Sequence, residues 1–278
     1  MRVSPSQLRT WKECQQAWHY SYVEGLKLKK SSKYFDIGTY THELLHVMYQ
    51  TMKAMGWKPG SDNMIDMMQS RIKADMESLD LDNIDVMSIV WPLVTKYVSF
   101  QSSQIDKGIT VLGIEHEVRQ ELDNGLIIHG FIDLVYRDSA GRIRIRDHKT
   151  SGQKNSWNPN KVKMNEQLLL YALAVGLEFG EPVLDVEISF VNTYPYKNKQ
   201  PSSDELFKLF RHTHNEQAIN SYRKNLQRMH DQMLEGNIMR NYSESCGSCR
   251  FFDLCYLETR GLNADNTRAA MYQKIERD

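Results

Sequence analysis

What this chain has little of bounds it first. Among its 278 residues, lysine plus arginine number 35 and aspartate plus glutamate also number 35, so the formal net charge is zero. A protein without an overall positive field has to meet a polyanion through a local basic groove. No stretch approaches the roughly 18 consecutive apolar residues that mark a membrane-spanning helix. The opening Met1-Arg2-Val3-Ser4-Pro5-Ser6-Gln7 lacks the apolar core of a secretory leader, and the expected location is the cytoplasm. There is no internal repeat, no low-complexity linker and no G-x-x-x-x-G-K-[ST] loop, so no ATP motor of the common kind is expected. Only 4 cysteines are present, and they are unevenly placed. Cys14 stands alone, while Cys246, Cys249 and Cys255 form C-x2-C-x5-C. In a reducing compartment such clustering favours a metal or cluster site over disulfides.

What is present is ordinary globular material, 41% hydrophobic and 25% charged, enough for a substantial core in one large domain. The most informative stretch runs from Gly130 to Tyr171. G-F-I-D-L-V-Y, a D-S-A-G turn and R-I-R-I-R-D-H-K-T predict a β-hairpin. Side chains alternate along a strand, so Ile143, Ile145, Asp147 and Lys149 share one face. An acid and a lysine on the core side of a strand are costly unless something pairs with them. A divalent metal and a phosphate would do so.

In chain order, Ser4-Pro5-Ser6-Gln7 has the form of a helix start, and the spacing of Leu8, Trp11, Gln15, Trp18 and Tyr22 predicts a helix over 5–23. A second helix begins at 36–39 and carries His42-Glu43-Leu44-Leu45-His46, which matches the H-E-x-x-H zinc-protease pattern literally. The competing reading uses His42 alone, four residues after Gly38, and leaves His46 to packing. The Met-rich span 57–104 reads as a helical insertion covering one side of a sheet. Three antiparallel strands follow between Ile109 and Lys149, with Asn124-Gly125 as a hairpin turn. Glu115 and Glu117 share a face of the first. A helix over 161–179 carries Gln167 and Tyr171 one turn apart. A strand over Val183–Tyr194 and a long polar helix over 202–236 complete a mixed α/β (α+β) arrangement of sheet and packed helices.

Gly38…His42, Gly130-x-x-Asp133, Asp147-His148-Lys149 and Gln167-x-x-x-Tyr171, in that order, resemble the RecB-like branch of the PD-(D/E)XK nucleases. The N-terminal S-P-S-Q-L-R-T-W-K-E-C and the closing C-x2-C-x5-C resemble its iron–sulfur members, the AddB nuclease domain and CRISPR-associated RecB-like exonucleases. The resemblance covers Ser4 to Cys255 except for the span 57–104. It implies a restriction-endonuclease-like core as a single domain over 1–278, with 57–104 inserted and an iron–sulfur segment joining residue 14 to 246–255.

The roles it implies are specific. His42, Asp133 and Asp147 resemble metal ligands, with the His148 backbone carbonyl as a further candidate. Carboxylates plus one imidazole suit Mg2+ or Mn2+. Lys149 resembles the group that orients the attacking water and stabilises phosphate charge, and Gln167 and Tyr171 resemble positioning residues beside it. The upstream glutamate is open between Glu115 and Glu117. Cys14, Cys246, Cys249 and Cys255 resemble the ligands of a [4Fe–4S] cluster, and zinc also accepts four cysteines. The implied activity is metal-dependent DNA exonuclease action at single-stranded ends, in recombination, phage DNA processing or CRISPR adaptation. The alternative is an iron–sulfur DNA-binding or assembly subunit docking to a helicase or integrase. DNA contact would draw on Lys27, Lys29, Lys30, Arg142, Arg144, Lys154, Lys161 or Lys163, each of which equally suits a solvated face.

Overall fold

Alternating β-branched and polar residues become strands wherever the chain can bury one side of them, and among the described residues they build a mixed six-stranded sheet and a separate two-stranded one. The computed structural model describes residues 1–29, 35–54, 66, 70, 90–98, 100, 109–153, 158–194 and 201–275. In chain order these form β1 (Arg2–Val3), α1 (Pro5–Glu13), α2 (Gln15–Trp18), a π-helical turn (His19–Val23), β2 (Leu26–Leu28) and α3 (Phe35–Ala54). Then come β3 (Thr110–Glu121), β4 (Ile127–Arg137), β5 (Ile143–Ser151), α4 (Pro159–Lys163), α5 (Glu166–Phe179), β6 (Asp185–Asn192), α6 (Ser203–Leu206) and β7 (Phe207–Thr213). The chain closes with α7 (Glu216–Glu235), a 3-10 turn (Glu244–Ser248), α8 (Phe252–Thr259), α9 (Asp265–Met271) and β8 (Tyr272–Lys274). Of the expected insertion over 57–104, residues 66, 70, 90–98 and 100 are described and helical, and the rest lies outside the described residues. No described helix is long and apolar enough to cross a membrane.

The chain divides into two compact units. The larger comprises Tyr34–Glu121 and Ile128–Lys224. In it β4 pairs with β3 and antiparallel with β5, β5 runs parallel to β6, and β6 runs antiparallel to β7. The β5–β6 pair is parallel because α4 and α5 return the chain to the same end of the sheet. All eight residues of β6 are buried. One face of the sheet is covered by α3 and the helical stretch 90–98, whose Leu45, Met48, Tyr49, Val94 and Tyr97 pack with Leu134, Tyr136 and Phe207.

Within this core lies a charged layer whose members are matched. Arg146, 1% exposed, donates to Glu187 at 2.7 Å and to the hydroxyls of Tyr49 and Tyr136, each at 3.3 Å. Arg211 donates to the other Glu187 oxygen at 2.8 Å. Buried charge survives only with such pairing.

The smaller unit comprises Met1–Lys33, Leu122–Ile127 and Asn225–Asp278. Ser4 caps α1 by accepting from the Gln7 amide, and Pro5 occupies its first position. The two chain ends meet in the β2–β8 pair, where Leu26 faces Lys274, and in a core of Tyr20, Leu26, Phe251, Leu254 and Tyr272. Glu258 is held by the hydroxyl of Tyr20, by Arg268 at 2.7 Å and by Arg240 at 3.5 Å.

Three element boundaries differ from the sequence expectation. The helix over 5–23 is interrupted at Cys14, whose φ of −164° and ψ of 116° are extended. The helix over 161–179 is likewise two helices, because Asn165 caps α5 by accepting from the Leu168 amide. The polar helix over 202–236 contains a strand instead. Phe207-Lys208-Leu209-Phe210-Arg211-His212-Thr213 pairs with β6 as β7, and Asn215 starts α7 by accepting from the Ala218 amide. Polarity suggested a helix there, but an open edge of β6 offered backbone partners that an isolated segment lacks.

Candidate active site

The acidic groups of the site are carried on neighbouring strands of the larger unit. Asp147 follows Ile143 and Ile145 along β5 and is buried. Its Oδ1 accepts from Gln167 Nε2 at 2.8 Å, and its Oδ2 lies 2.7 Å from Lys149 Nζ. Lys149 Nζ also donates to Gln167 Oε1 at 2.9 Å, closing a three-residue ring between β5 and the first turn of α5. One turn on, the Tyr171 hydroxyl accepts from Gln167 Nε2 at 3.3 Å and donates to the Phe131 carbonyl at 2.8 Å. Its ring lies against Gly130, where a Cβ would sit 2.9 Å from it. The glycine of G-x-x-D is therefore needed for close helix–strand approach.

Asp133 on β4 reaches across to β5. Its Oδ2 accepts from the His148 backbone amide and lies 3.7 Å from His42 Nδ1 on α3. The His148 ring does not join the carboxylates. It stacks on Tyr49 at 5.5 Å, meets Tyr97 edge-on, and neither ring nitrogen has a hydrogen-bond partner among the described residues. Burial pushes its pKa down to about 3, so it is neutral near pH 7.

The two carboxylates are driven apart in acidity. Burial, with the charge of Asp133, pushes Asp147 up to about 6 against the pull of Lys149. Burial would also raise Asp133, but the His42 hydrogen bond, the charge of His42 and the His148 backbone amide hold it below its ordinary value. Burial opposes the charge on His42, yet Asp133 raises its pKa. Neighbouring acids that titrate apart in this way mark a site where negative charge exceeds its compensation.

A cleft of about 630 Å³ is lined by His42, Glu43, His46, Glu115, Asp133, Thr150 and the Gly38 end of α3. Glu115 has a φ of +46°, the only positive value among described non-glycine residues. Gly113 permits the local kink, since a Cβ there would fall 2.4 Å from His116 Nδ1. Burial and then the charge of Asp133 raise the Glu115 pKa. Glu117 is exposed and pairs with His129 at 3.0 Å. Between the two glutamates, only Glu115 lines the cleft. A glycine two residues before an acid, inside a strand, was the available bulge signal.

The cysteines gather in the smaller unit. A cavity of about 160 Å³ is lined by Cys14, Cys246, Cys249 and Cys255, together with Tyr20, Arg240 and Phe251. All four thiols are free. Burial raises the Cys249 pKa, and the charges of Cys14, Cys246 and Cys255 raise it further.

The basic residues are less uniform. Arg142 lies 3.1 Å from Asp138 and 3.4 Å from Asp185, and Arg144 lies 2.8 Å from Asp138, so both are committed to structural ion pairs. Lys29 donates to the Ala269 carbonyl at 2.6 Å. Lys27, Lys161 and Lys163 are exposed, while Lys30 and Lys154 lie outside the described residues.

A family model for the PD-(D/E)XK nuclease superfamily matches residues 2–256. The chain belongs to that superfamily. Two solved structures are similar at low identity. The crystal structure of SSO0001 is 13% identical, spans 78% of this chain and 96% of its own, and has a TM-score of 0.36. The alkaline exonuclease LHK-Exo from Laribacter hongkongensis is 9% identical, spans 80% and 91%, and has a TM-score of 0.33. No curated protein matches the chain.

PD-(D/E)XK nucleases use divalent metals such as Mg2+ or Mn2+. The donor set here, two carboxylates and an imidazole with Glu115 beside them, has the hard-ligand chemistry such ions require. Among the described residues, however, no three His, Cys, Asp or Glu side chains already converge on a metal position. Asp133 has spent an oxygen on the His148 amide, and Asp147 has spent both on Gln167 and Lys149. The H-E-L-L-H helix fares no better as a zinc site, and His46 Nε2 is engaged with Gln50 at 2.6 Å.

Proposed function

We propose that this chain is a RecB-like, metal-dependent DNA exonuclease acting on single-stranded ends. The observation that carries the reading is the Asp147–Lys149–Gln167 ring on the strand next to the one bearing Asp133, which lines the cleft together with His42. In this reading His42, Asp133, Asp147 and the His148 carbonyl hold a divalent ion, with Glu115 in support. When bound, the ion supplies Lewis acidity toward water and charge neutralisation toward the phosphate.

The chain's own groups do the rest. Water attacks phosphorus in line, a new P–O bond forms, and the bond to the leaving sugar oxygen breaks. Lys149, fixed between Asp147 and Gln167, offers a compact positive charge where phosphate charge develops. Gln167 sets the position of both neighbours, and Tyr171 locks Gln167 to the β4 backbone. Acidic side chains in the cleft exclude a free phosphodiester until a cation is present, which ties substrate entry to metal loading.

The same reading gives Cys14, Cys246, Cys249 and Cys255 a [4Fe–4S] cluster. Mutual thiolate repulsion around Cys249 is what a bound cationic core would relieve. Zinc would relieve it too.

The test is cleavage of end-labelled single-stranded DNA with Mn2+ or Mg2+, run on anaerobically purified chain with metal analysis. Metal-dependent cutting that disappears in Asp147→Asn, with DNA binding kept, is expected. Full activity in Asp147→Asn or Lys149→Ala would end the assignment of the site. About four irons per chain and a visible absorption band are expected. Zinc, or neither metal, would remove the cluster and leave the nuclease core standing.

A further inference from the structure

Strand β3 does not alternate regularly through Ile114, Glu115 and His116. Ile114 packs against the core cluster that holds Leu44, Leu45 and Met48 of α3. Glu115, the next residue, lines the cleft beside His42 and His46 of the same helix. His116 turns instead to α5, where its Nε2 donates to both carboxylate oxygens of Glu178 at 3.0 Å and its ring meets Phe179. Two successive side chains on one side of a strand are what a bulge produces. The φ of +46° at Glu115 is its backbone mark, a conformation glutamate keeps only where its surroundings fix it.

The His116 ring supplies that fixing. It lies against Gly113, where a Cβ would fall 2.4 Å from Nδ1 and 2.7 Å from Cγ, while Glu178 grips its far nitrogen. The two side chains are 19% and 30% exposed, so solvent screens them less than an open surface pair. Glu178 also shares a helix face with two residues of the site. Gln167, Tyr171 and Glu178 follow at steps of four and seven, which places them within about 40° of one another around α5. One stripe of a single helix thus reaches β5 through Gln167, β4 through Tyr171 and β3 through Glu178. A pair that only fastened α5 to the sheet could sit anywhere along β3. This one falls on the residue directly after Glu115.

We propose that His116 and Glu178 are positioning residues that hold the β3 bulge and thereby present the Glu115 carboxylate to the divalent ion. The proposal rests on the reading of Glu115 as support for that ion, and it adds the far end of α5 to the site.

The test is Mn2+ binding to the full chain without DNA, read from the electron paramagnetic resonance of the free ion, with melting curves to confirm folding. Glu178→Ala is expected to weaken Mn2+ binding about tenfold. Gly113→Ala, which drives the His116 ring from its seat, should do the same. Glu178→Gln keeps an oxygen that accepts from Nε2 and should bind like the parent. The deciding variant is Glu178→Ala combined with Glu115→Gln, which should bind no more weakly than Glu115→Gln alone, because the carboxylate being positioned is gone. An equal loss with and without Glu115 would overturn the proposal and leave the pair as a fastening of α5. Parent-like binding in both Glu178→Ala and Gly113→Ala would overturn it too. Parent-like binding in Glu115→Gln, with cutting still lost in Asp147→Asn, would remove the positioning role and leave the nuclease standing. A parent chain that neither binds Mn2+ nor cuts DNA would remove both.

Discussion

Strand β5 carries two clusters of buried charge that obey opposite rules. On one side Arg146 meets Glu187, Arg211 shares that glutamate, and the tyrosines of α3 and β4 take the remaining donors. Nearby, burial would push Asp138 up, but Arg144, the Arg142 amide and the charge of both arginines hold it at about 2. There every anion has a cation, and the groups behave as structure. On the other side, Asp133 lines a cleft with Glu115 and Glu43 while Asp147 is buried beside Lys149, and Asp133 is faced by a titratable His42. Burial, with the charge of Asp133, raises Asp147 to about 6 despite Lys149. Two clusters on one strand thus separate a load of charge that holds the fold from one that waits for a ligand.

The sharpest way to break this comparison is to neutralise one acid from each cluster. Asp147→Asn is expected to lower DNA cleavage by about a thousandfold or more, while leaving the melting temperature unchanged or raised, because it removes a charge that burial beside Asp133 disfavours. Calorimetry beside a cleavage assay reads both. Glu187→Gln should do the reverse. It strands Arg146 and Arg211, and a cost of about 3–5 kcal/mol in denaturant unfolding is expected, with activity per folded molecule retained. Equal behaviour of the two variants would erase the distinction.

pH separates the clusters by sign. Asp147 binds its proton more tightly folded than unfolded, so between its ordinary value near 4 and about 6 the metal-free fold should lose stability as pH rises. Asp138 binds its proton more weakly folded, so its contribution is present above pH 4 and lost as pH falls towards about 2. Asp147→Asn should flatten the first window in chemical unfolding curves and leave the second. Saturating Mn2+ should also flatten the first, since an ion bound to the ionised form repays its burial.

The smallest contrast lies between two glutamates on β3. Glu115→Gln is expected to reduce cleavage about tenfold and to weaken the dependence on metal concentration. Glu117→Gln, exposed and paired only with His129, should stay within about 0.5 kcal/mol in stability and keep full activity. A larger loss from Glu117 would reverse the assignment.

Much of this was legible in the residues. The β4–β5 hairpin followed from apolar alternation and a D-S-A-G turn, and it brought Asp133 and Asp147 to adjoining strands as period-two geometry requires. Gln167 and Tyr171 one turn apart on a helix had to face one way. Lys149 and Asp147 shared a strand face by the same rule. Strand β7 was not legible, because F-K-L-F-R-H-T is polar enough for a helix until β6 presents it with unpaired backbone. Nor was the interruption at Cys14, which lies near a regular aromatic stripe and stays extended where that stripe alone would favour a continued helix. The fate of Arg142 and Arg144 was equally hidden, since their carboxylates come from Asp138 on the turn and Asp185 on another strand.

The sequence alone determined local periodicity, turn chemistry and the order of the acid, lysine, glutamine and tyrosine motifs, because each depends on neighbours within a few residues. Tertiary structure decided which charges are matched. Glu115 became a cleft residue through a positive φ and the space left by Gly113, Tyr171 reached β4 through the missing Cβ of Gly130, and Asp147 became a weak acid through burial beside Asp133. Burial and pairing are properties of groups distant along the chain, so no local pattern carries them.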